Sequence, residues 1–243
     1  MNKIAVCFFG QPRFVRNTRA VVAHNKELFA KYDCDVFVHT WYDYADTVRQ
    51  PSSTWTGLGD VNFNIDDVKD IYHCYHPKVL MTEKPIDFIN DPHVEKTYND
   101  IWASGHPYFE YINFCNIFSQ HYSISKVAYL PPVADYDAVV FTRFDMEIEK
   151  IPDLHKLEKN AVYIPNNHNN FPDTVMITTG MGQVWAQTLF ISTENEKPCD
   201  IKAFKEISAE SFKLSAFDRC NNIFAGNLKL IPCNMYGHVV RSY

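Results

Sequence analysis

The chain has 243 residues, of which 46% are hydrophobic and 21% charged, and its formal net charge is −6. That length and composition suit one α/β-sized domain, residues 1–243, with a full core, and exclude wholesale disorder. With 23 basic against 29 acidic residues there is no basic stripe of the kind needed to grip a nucleic-acid polymer, so no polymeric nucleic acid is expected as a partner. A small phosphorylated ligand needs only a few placed cations.

The seven cysteines (7, 34, 74, 115, 199, 220 and 233) are scattered and contain no CxxC pair, which speaks against both a disulfide framework and a thiolate zinc site. The opening apolar run, Ile4 to Phe9, passes at once into Gly-Gln-Pro-Arg and is too short for a signal peptide. No apolar run approaches the ~20 residues that span a bilayer. The expectation is a cytoplasmic protein without a transmembrane segment.

In chain order, Ile4–Phe9 has the pattern of a strand buried on both faces. Asn17 is a candidate cap for a helix through Tyr32, with Val21, Leu28, Phe29 and Tyr32 on one face. Asp35–Thr40 predicts a second strand. Val68, Ile71, Tyr72 and Tyr75 recur at helical spacing within 66–75, and Lys78–Thr82 predicts a third strand after Pro77. Residues 84–107, with three prolines and two histidines, predict an irregular excursion. A long helix over Tyr108–Tyr129 follows, then a strand at Ala138–Thr142. Ala161–Ile164 and Thr188–Ser192 predict short strands, and a last helix falls within Ser208–Phe224. Strands alternating with helices predict a mostly parallel, Rossmann-like sheet flanked by helices on both faces.

Two segments carry candidate chemistry. The turn after the first strand, Gly10 to Arg19, holds three of the seven arginines: Arg13, Arg16 and Arg19. In open α/β sheets ligands bind outside the carboxyl ends of strands, where a following helix also offers free N–H groups. Arginine adds planar donors suited to phosphate, and Gly10 lets backbone approach a ligand. The plainer alternative is a solvated basic face at the start of a helix. Neither GxGxxG nor GxxxxGK[ST] occurs. The second segment is Val139 to Glu147, where an apolar strand delivers Arg143 and then Asp145 and Glu147. If the chain stays extended, the two acids point the same way and suit Mg²⁺ or Mn²⁺ shared with a phosphorylated substrate. The plainer alternative is a turn held by an Arg–Asp pair.

A strand ending in such an acidic pair resembles the DxD site of GT-A nucleotide-sugar glycosyltransferases. The opening Ile-Ala-Val-Cys-Phe-Phe-Gly-Gln-Pro-Arg, the downstream Asp35 to Trp41 and the Arg143-Phe144-Asp145 segment look like those of polysaccharide-synthesis and viral members of that type. The resemblance implies a GT-A-like fold and a glycosyltransferase taking a nucleoside-diphosphate sugar such as a UDP-sugar as donor, with manganese or magnesium as cofactor. The acceptor would be a glycan or other hydroxyl compound. It also implies that Gly10, Gln11 and Arg13 line the nucleotide site, that Asp145 reaches the diphosphate through the metal and that His238 completes the metal site; the residue pattern itself adds Arg16 and Arg143 as phosphate donors and Glu147 as a metal ligand. The pair here is Asp-Met-Glu rather than Asp-x-Asp. Where such proteins carry an acid before a late strand, the comparable stretch Val184 to Thr188 has none, which leaves Asp173 in the amide-rich loop as candidate base. Segment 166–187 suits an acceptor-facing loop, with a disordered flap as the equal alternative. A non-catalytic nucleotide- or glycan-binding protein of the same fold, and a nucleotidyltransferase, are the alternatives. His73 and His76 at i, i+3 suit a helix end better than zinc.

Overall fold

A computed structural model of the chain describes residues 3–12, 19–42, 49–50, 61–62, 65–103, 110–166, 175–195 and 209–239. The elements in order are β1 (Lys3–Gly10), α1 (Arg19–Phe29), β2 (Asp33–Trp41), the two-residue strands β3 (Arg49–Gln50) and β4 (Val61–Asn62), α2 (Ile65–Tyr75) and β5 (Val79–Glu83). Then come α3 (Pro92–Ala103), α4 (Tyr111–Ala128), β6 (Ala138–Arg143), β7 (Met146–Lys150), β8 (Ala161–Pro165), β9 (Val175–Thr179), α5 (Met181–Glu194), a helix α6 (Ala209–Ile223), β10 (Lys229–Cys233) and β11 (Tyr236–Val239).

Seven strands form one sheet in the order β10-β8-β9-β6-β1-β2-β5, all pairs parallel except those of β9, which runs against both neighbours. This is a mostly parallel, Rossmann-like sheet with helices on both faces. Alternation along the strands divides the core cleanly. Ile4, Val6, Phe8, Val38 and Val140 pack with α1, α2 and β7 on one face. Ala5, Cys7, Phe9, Phe37, Val139 and Phe141 pack with α4, α5 and α6 on the other. A third, aromatic-rich cluster joins α3, through Val94 and Ile101, to Phe88 and to Phe114 and Phe118 in the first half of α4. No helix among the described residues is long and apolar enough to cross a membrane.

Four expectations change. Within 84–107 a helix, α3, occupies Pro92–Ala103: Asp91 accepts from the His93 amide at 2.8 Å, and Pro92 takes the first helical position, where a missing N–H costs nothing. Thr188–Ser192 belongs to helix α5, whose Trp185, Ala186, Leu189 and Thr193 recur at helical spacing and are buried. The stretch read as a loop over 166–187 contains the whole of β9, buried throughout, and the first half of α5. Tyr72 leaves the buried face of α2 and is exposed, while Val68, Ile71 and Tyr75 are buried as expected.

Close approaches fix the surrounding pieces. A Cβ on Gly182 would sit 2.4 Å from the Ala161 carbonyl oxygen, so α5 lies directly on β8. One on Gly237 would meet the Glu147 carbonyl oxygen at 2.5 Å, which lets β11 lie against β7.

Candidate functional site

The central strands bring the two candidate segments together. β1 and β6 are parallel neighbours, and their register sets Phe9 beside Arg143. Gly10 and Gln11 therefore adjoin Arg143 and Asp145 at the carboxyl edge of the sheet, where open α/β sheets bind ligands. Gly10 has φ +97°, a conformation that favours glycine, and no atom of the described residues beyond its own chain neighbours lies within 4 Å of where its Cβ would stand. The positive φ, rather than crowding by a described neighbour, is what favours glycine at this strand end.

Asp145 is buried and forms a two-pronged pair with Arg143, whose Nε donates to Oδ1 at 2.8 Å and Nη2 to Oδ2 at 2.6 Å. Geometry of this kind makes the strongest class of side-chain ion pair. Val139 and Phe141 lie on the α4 face of the sheet, and strand alternation places Arg143 on that face too. The chain does not stay extended from Asp145 to Glu147: Phe144 and Asp145 form a turn between β6 and β7. The turn buries Phe144 in the opposite core, stacked on Phe8 with ring centroids 5.5 Å apart, and leaves Asp145 to Arg143.

Glu147 lies in β7, half-buried, and the antiparallel register of β7 with β11 sets His238 opposite it. Two positions far apart in sequence thus share one rung. Helix α1 locks the other edge of β7. Asn25, fully buried, donates from Nδ2 to the Met146 carbonyl at 2.9 Å and accepts from the Ile148 amide at Oδ1 at 3.0 Å, bracketing Glu147 as a strand would. His24 Nε2 meets the Ile148 carbonyl at 3.0 Å.

Three of the expected residues, Arg13, Arg16 and Asp173, lie outside the described residues. The stretch Val184 to Thr188 is inside α5, where Gln187 donates to the Ala128 carbonyl at 3.0 Å and Trp185 is buried. It packs on the last turn of α4, toward the amino edge of the sheet and away from Gly10. Among the described residues no group of three or more His, Cys, Asp or Glu is placed to hold a metal ion by itself.

A polar chain that sequence reading did not single out anchors the carboxyl edge. The Gly10 amide donates to Ser123 Oγ of α4 at 2.8 Å. Ser123 Oγ lies 2.6 Å from His39 Nδ1, and His39 Nε2 lies 2.7 Å from Glu83 Oε2. Since Ser123 accepts from Gly10, one consistent proton arrangement has its hydroxyl donating to Nδ1 and Nε2–H donating to the carboxylate. Thr40 Oγ1 donates to the Gly10 carbonyl at 2.9 Å, so both backbone groups of Gly10 are held. Trp41 stacks on Tyr122 with centroids 5.3 Å apart, and Lys126 lies 3.8 Å from Glu83, which closes this end of the network. The histidine of the Asp35–Trp41 segment was visible in the sequence, but its partners lie 84 and 44 residues away.

Burial holds the His39 imidazole below its ordinary 6.5, against the upward pull of Glu83 and with a further downward push from Lys126. The unfolded chain therefore takes up a proton near pH 6.5 that the folded chain refuses, so this contribution is present above 6.5 and lost as pH falls below it. Asp35 acts in a separate window: burial alone would raise it, but hydrogen bonds from Tyr136, Lys3 and Lys78 hold it at about 2. Its contribution is lost only below the ordinary 3.8. Urea unfolding of wild type and His39→Gln between pH 7 and about 5.5 checks the first window. Stability should fall more steeply in the wild type; equal slopes would assign the effect to other groups.

Comparison with known proteins adds nothing to this geometry: no protein-family model matches the chain, and no curated protein matches it in sequence.

Proposed function

We infer that the chain is a GT-A-like glycosyltransferase that moves a sugar from a nucleoside-diphosphate donor to a glycan or other hydroxyl acceptor, assisted by Mn²⁺ or Mg²⁺. The observation that carries this reading is the meeting of Gly10–Gln11 with Arg143–Asp145 at the carboxyl edge of the two central strands. The diphosphate lies there, against the Gly10 turn, with Arg143 as its cation and Arg13 and Arg16 as further candidates. Arg143 stabilises negative charge as it builds on the departing diphosphate.

The metal rests on fewer protein groups. Magnesium and manganese are commonly held by one or two carboxylates together with substrate phosphates, so a complete protein cage is not required. Asp145 is the nearer carboxylate, with Glu147 and His238 at paired positions on the adjoining two-stranded sheet. When bound, the ion supplies Lewis-acid neutralisation of the diphosphate. The Arg143–Asp145 pair also favours a second reading, a protein of this fold that binds a nucleotide without metal or turnover, because both oxygens of Asp145 already have partners. Asp173 stays the candidate base for the acceptor hydroxyl.

Calorimetric titration with UDP, GDP and CMP, with and without Mn²⁺, on wild type and Asp145→Asn separates these. Metal-dependent binding of one nucleotide, lost in the variant, is the expected result. Metal-independent binding without donor hydrolysis or sugar transfer favours the second reading. A folded wild-type protein that binds none of the three defeats both.

A further inference from the structure

Helix α4 carries two side-chain amides, each with a buried atom that the described fold does not use. Its track over the sheet is fixed by two contacts: Cys7 Sγ lies 3.9 Å from the Val127 carbonyl, and the Gly10 amide donates to Ser123 Oγ. Moving from residue 127 to 123 along the helix moves from residue 7 to 10 along β1, so α4 runs antiparallel to the strand. Its N-terminal half therefore overhangs the carboxyl edge. Asn116, Gln120 and Ser123 are spaced i, i+4, i+7 and share one stripe of the helix. At 1.5 Å per residue, Asn116 stands about 10 Å beyond Ser123 in the direction past Gly10.

The opposite stripe faces helix packing instead. Ser125 Oγ meets the Ala186 carbonyl and the Phe190 amide of α5, His121 Nδ1 meets Thr193 Oγ1, and Phe114 and Phe118 enter the aromatic cluster. The stripe of Asn116 and Gln120 thus faces the overhung edge, on the same side of the sheet as Arg143. Asn116 Nδ2 and Gln120 Oε1 are buried, and neither has a hydrogen-bond partner among the described residues. Leaving a buried donor and a buried acceptor unmatched is costly, and native proteins do it rarely. Hydrophobic residues at these positions would suit a purely structural helix better.

We propose that Asn116 and Gln120 bind a vicinal hydroxyl pair of a sugar ring, on the ligand whose diphosphate occupies the Gly10–Arg143 edge. The inference rests on the nucleotide-sugar reading of that edge. A hydroxyl both donates and accepts, so one oxygen of a diol takes the Asn116 N–H while its neighbour donates to Gln120. A nucleoside-diphosphate sugar presents such a diol twice, on the ribose and on the transferred sugar.

The test uses the full chain as wild type and as the double variant Asn116→Leu/Gln120→Met. Probes are UDP, GDP and CMP, their 2′-deoxy forms, and UDP-glucose, UDP-galactose and GDP-mannose. Binding is expected to weaken about tenfold or more in the variant. A loss already present with the plain nucleotide, and matched by the 2′-deoxy form on wild type, identifies the ribose diol. A loss confined to the glycosyl nucleotides identifies the transferred sugar. The ligand-free variant should melt at the same temperature or about 2–4 °C higher, because unmatched polar atoms have been replaced. Unchanged binding in the variant, or a lowered melting temperature, overturns the inference and leaves the nucleotide reading standing. No binding by the wild type to any probe removes that reading, and the inference with it.

Discussion

Arg143→Met is expected to lower the free energy of unfolding by about 3–5 kcal/mol, the usual cost of stranding one partner of a buried ion pair. Asp145 keeps only 4% of its side chain in contact with solvent, and both its oxygens are held by Arg143. Without the guanidinium the carboxylate must either stay charged in a poorly solvated place or take up a proton. Adding Asp145→Asn should recover most of the loss, since an amide at that position carries no charge to solvate. Urea unfolding of the two single variants and the double variant measures the coupling directly. A cost below about 1 kcal/mol for Arg143→Met would mean the pair behaves as a surface salt bridge in solution. The double variant also separates folding from ligand binding. It should be stable, yet unable to bind a nucleotide, because the cation at the strand edge is gone.

Asn25→Leu should cost about 2–4 kcal/mol, for a different reason. Leucine is close in size, so packing between α1 and β7 is largely kept. What is lost is the side chain that satisfies the Met146 carbonyl and the Ile148 amide, leaving two buried backbone groups unmatched. Hydrogen exchange should report the loss at one place, with the Ile148 amide exchanging much faster than in wild type while β1 and β2 stay protected. Protection unchanged at Ile148 would mean another group had taken over the bond. Because Asn25 brackets Glu147, the variant should also loosen the rung that Glu147 shares with His238.

Most of the architecture was legible because strands buried on both faces read as unbroken apolar runs, as Ile4–Phe9 and Ala138–Thr142 do. The errors have local causes. Thr188–Ser192 is a short apolar run, and such a run suits a buried helix as well as a strand; only the burial of Trp185, Ala186 and Leu189 at helical spacing decides it. β9 was hidden by the polar sequence before it, although Val175–Thr179 is followed directly by Gly180. For α3 the signal was present: Asp91 as cap, Pro92 at the first helical position and Glu95 in the first turn make a helix start, but the density of prolines suggested irregular chain.

At the candidate site, strand ends could be read and through-space partners could not. Gly10, Arg143 and Asp145 followed from the rule that strand carboxyl ends gather ligands. The assumption that Asp145 and Glu147 lie on one extended strand failed because Phe144, just before them, is drawn into the core against Phe8 and turns the chain. The Glu83–His39–Ser123–Gly10 chain draws on three separate elements, β5, β2 and α4, besides β1, and no spacing in the sequence announces it.

The placement of β1 has a consequence for how the chain reaches this structure. Its two neighbours are far from equivalent along the polypeptide: β2 pairs Ile4 with Cys34, whereas β6 pairs Ile4 with Ala138. During synthesis, β1, β2 and β5 can assemble from the first third of the chain, but the far edge of β1 stays unpaired until residues 138–143 have been made. That open edge belongs to a strand buried from Ile4 to Phe9 in the finished fold. A long-range parallel pairing of this kind forms slowly, and an unpaired apolar edge is where chains adhere to one another. The nascent N-terminal third is therefore the stage at which this protein most needs protection from its own copies.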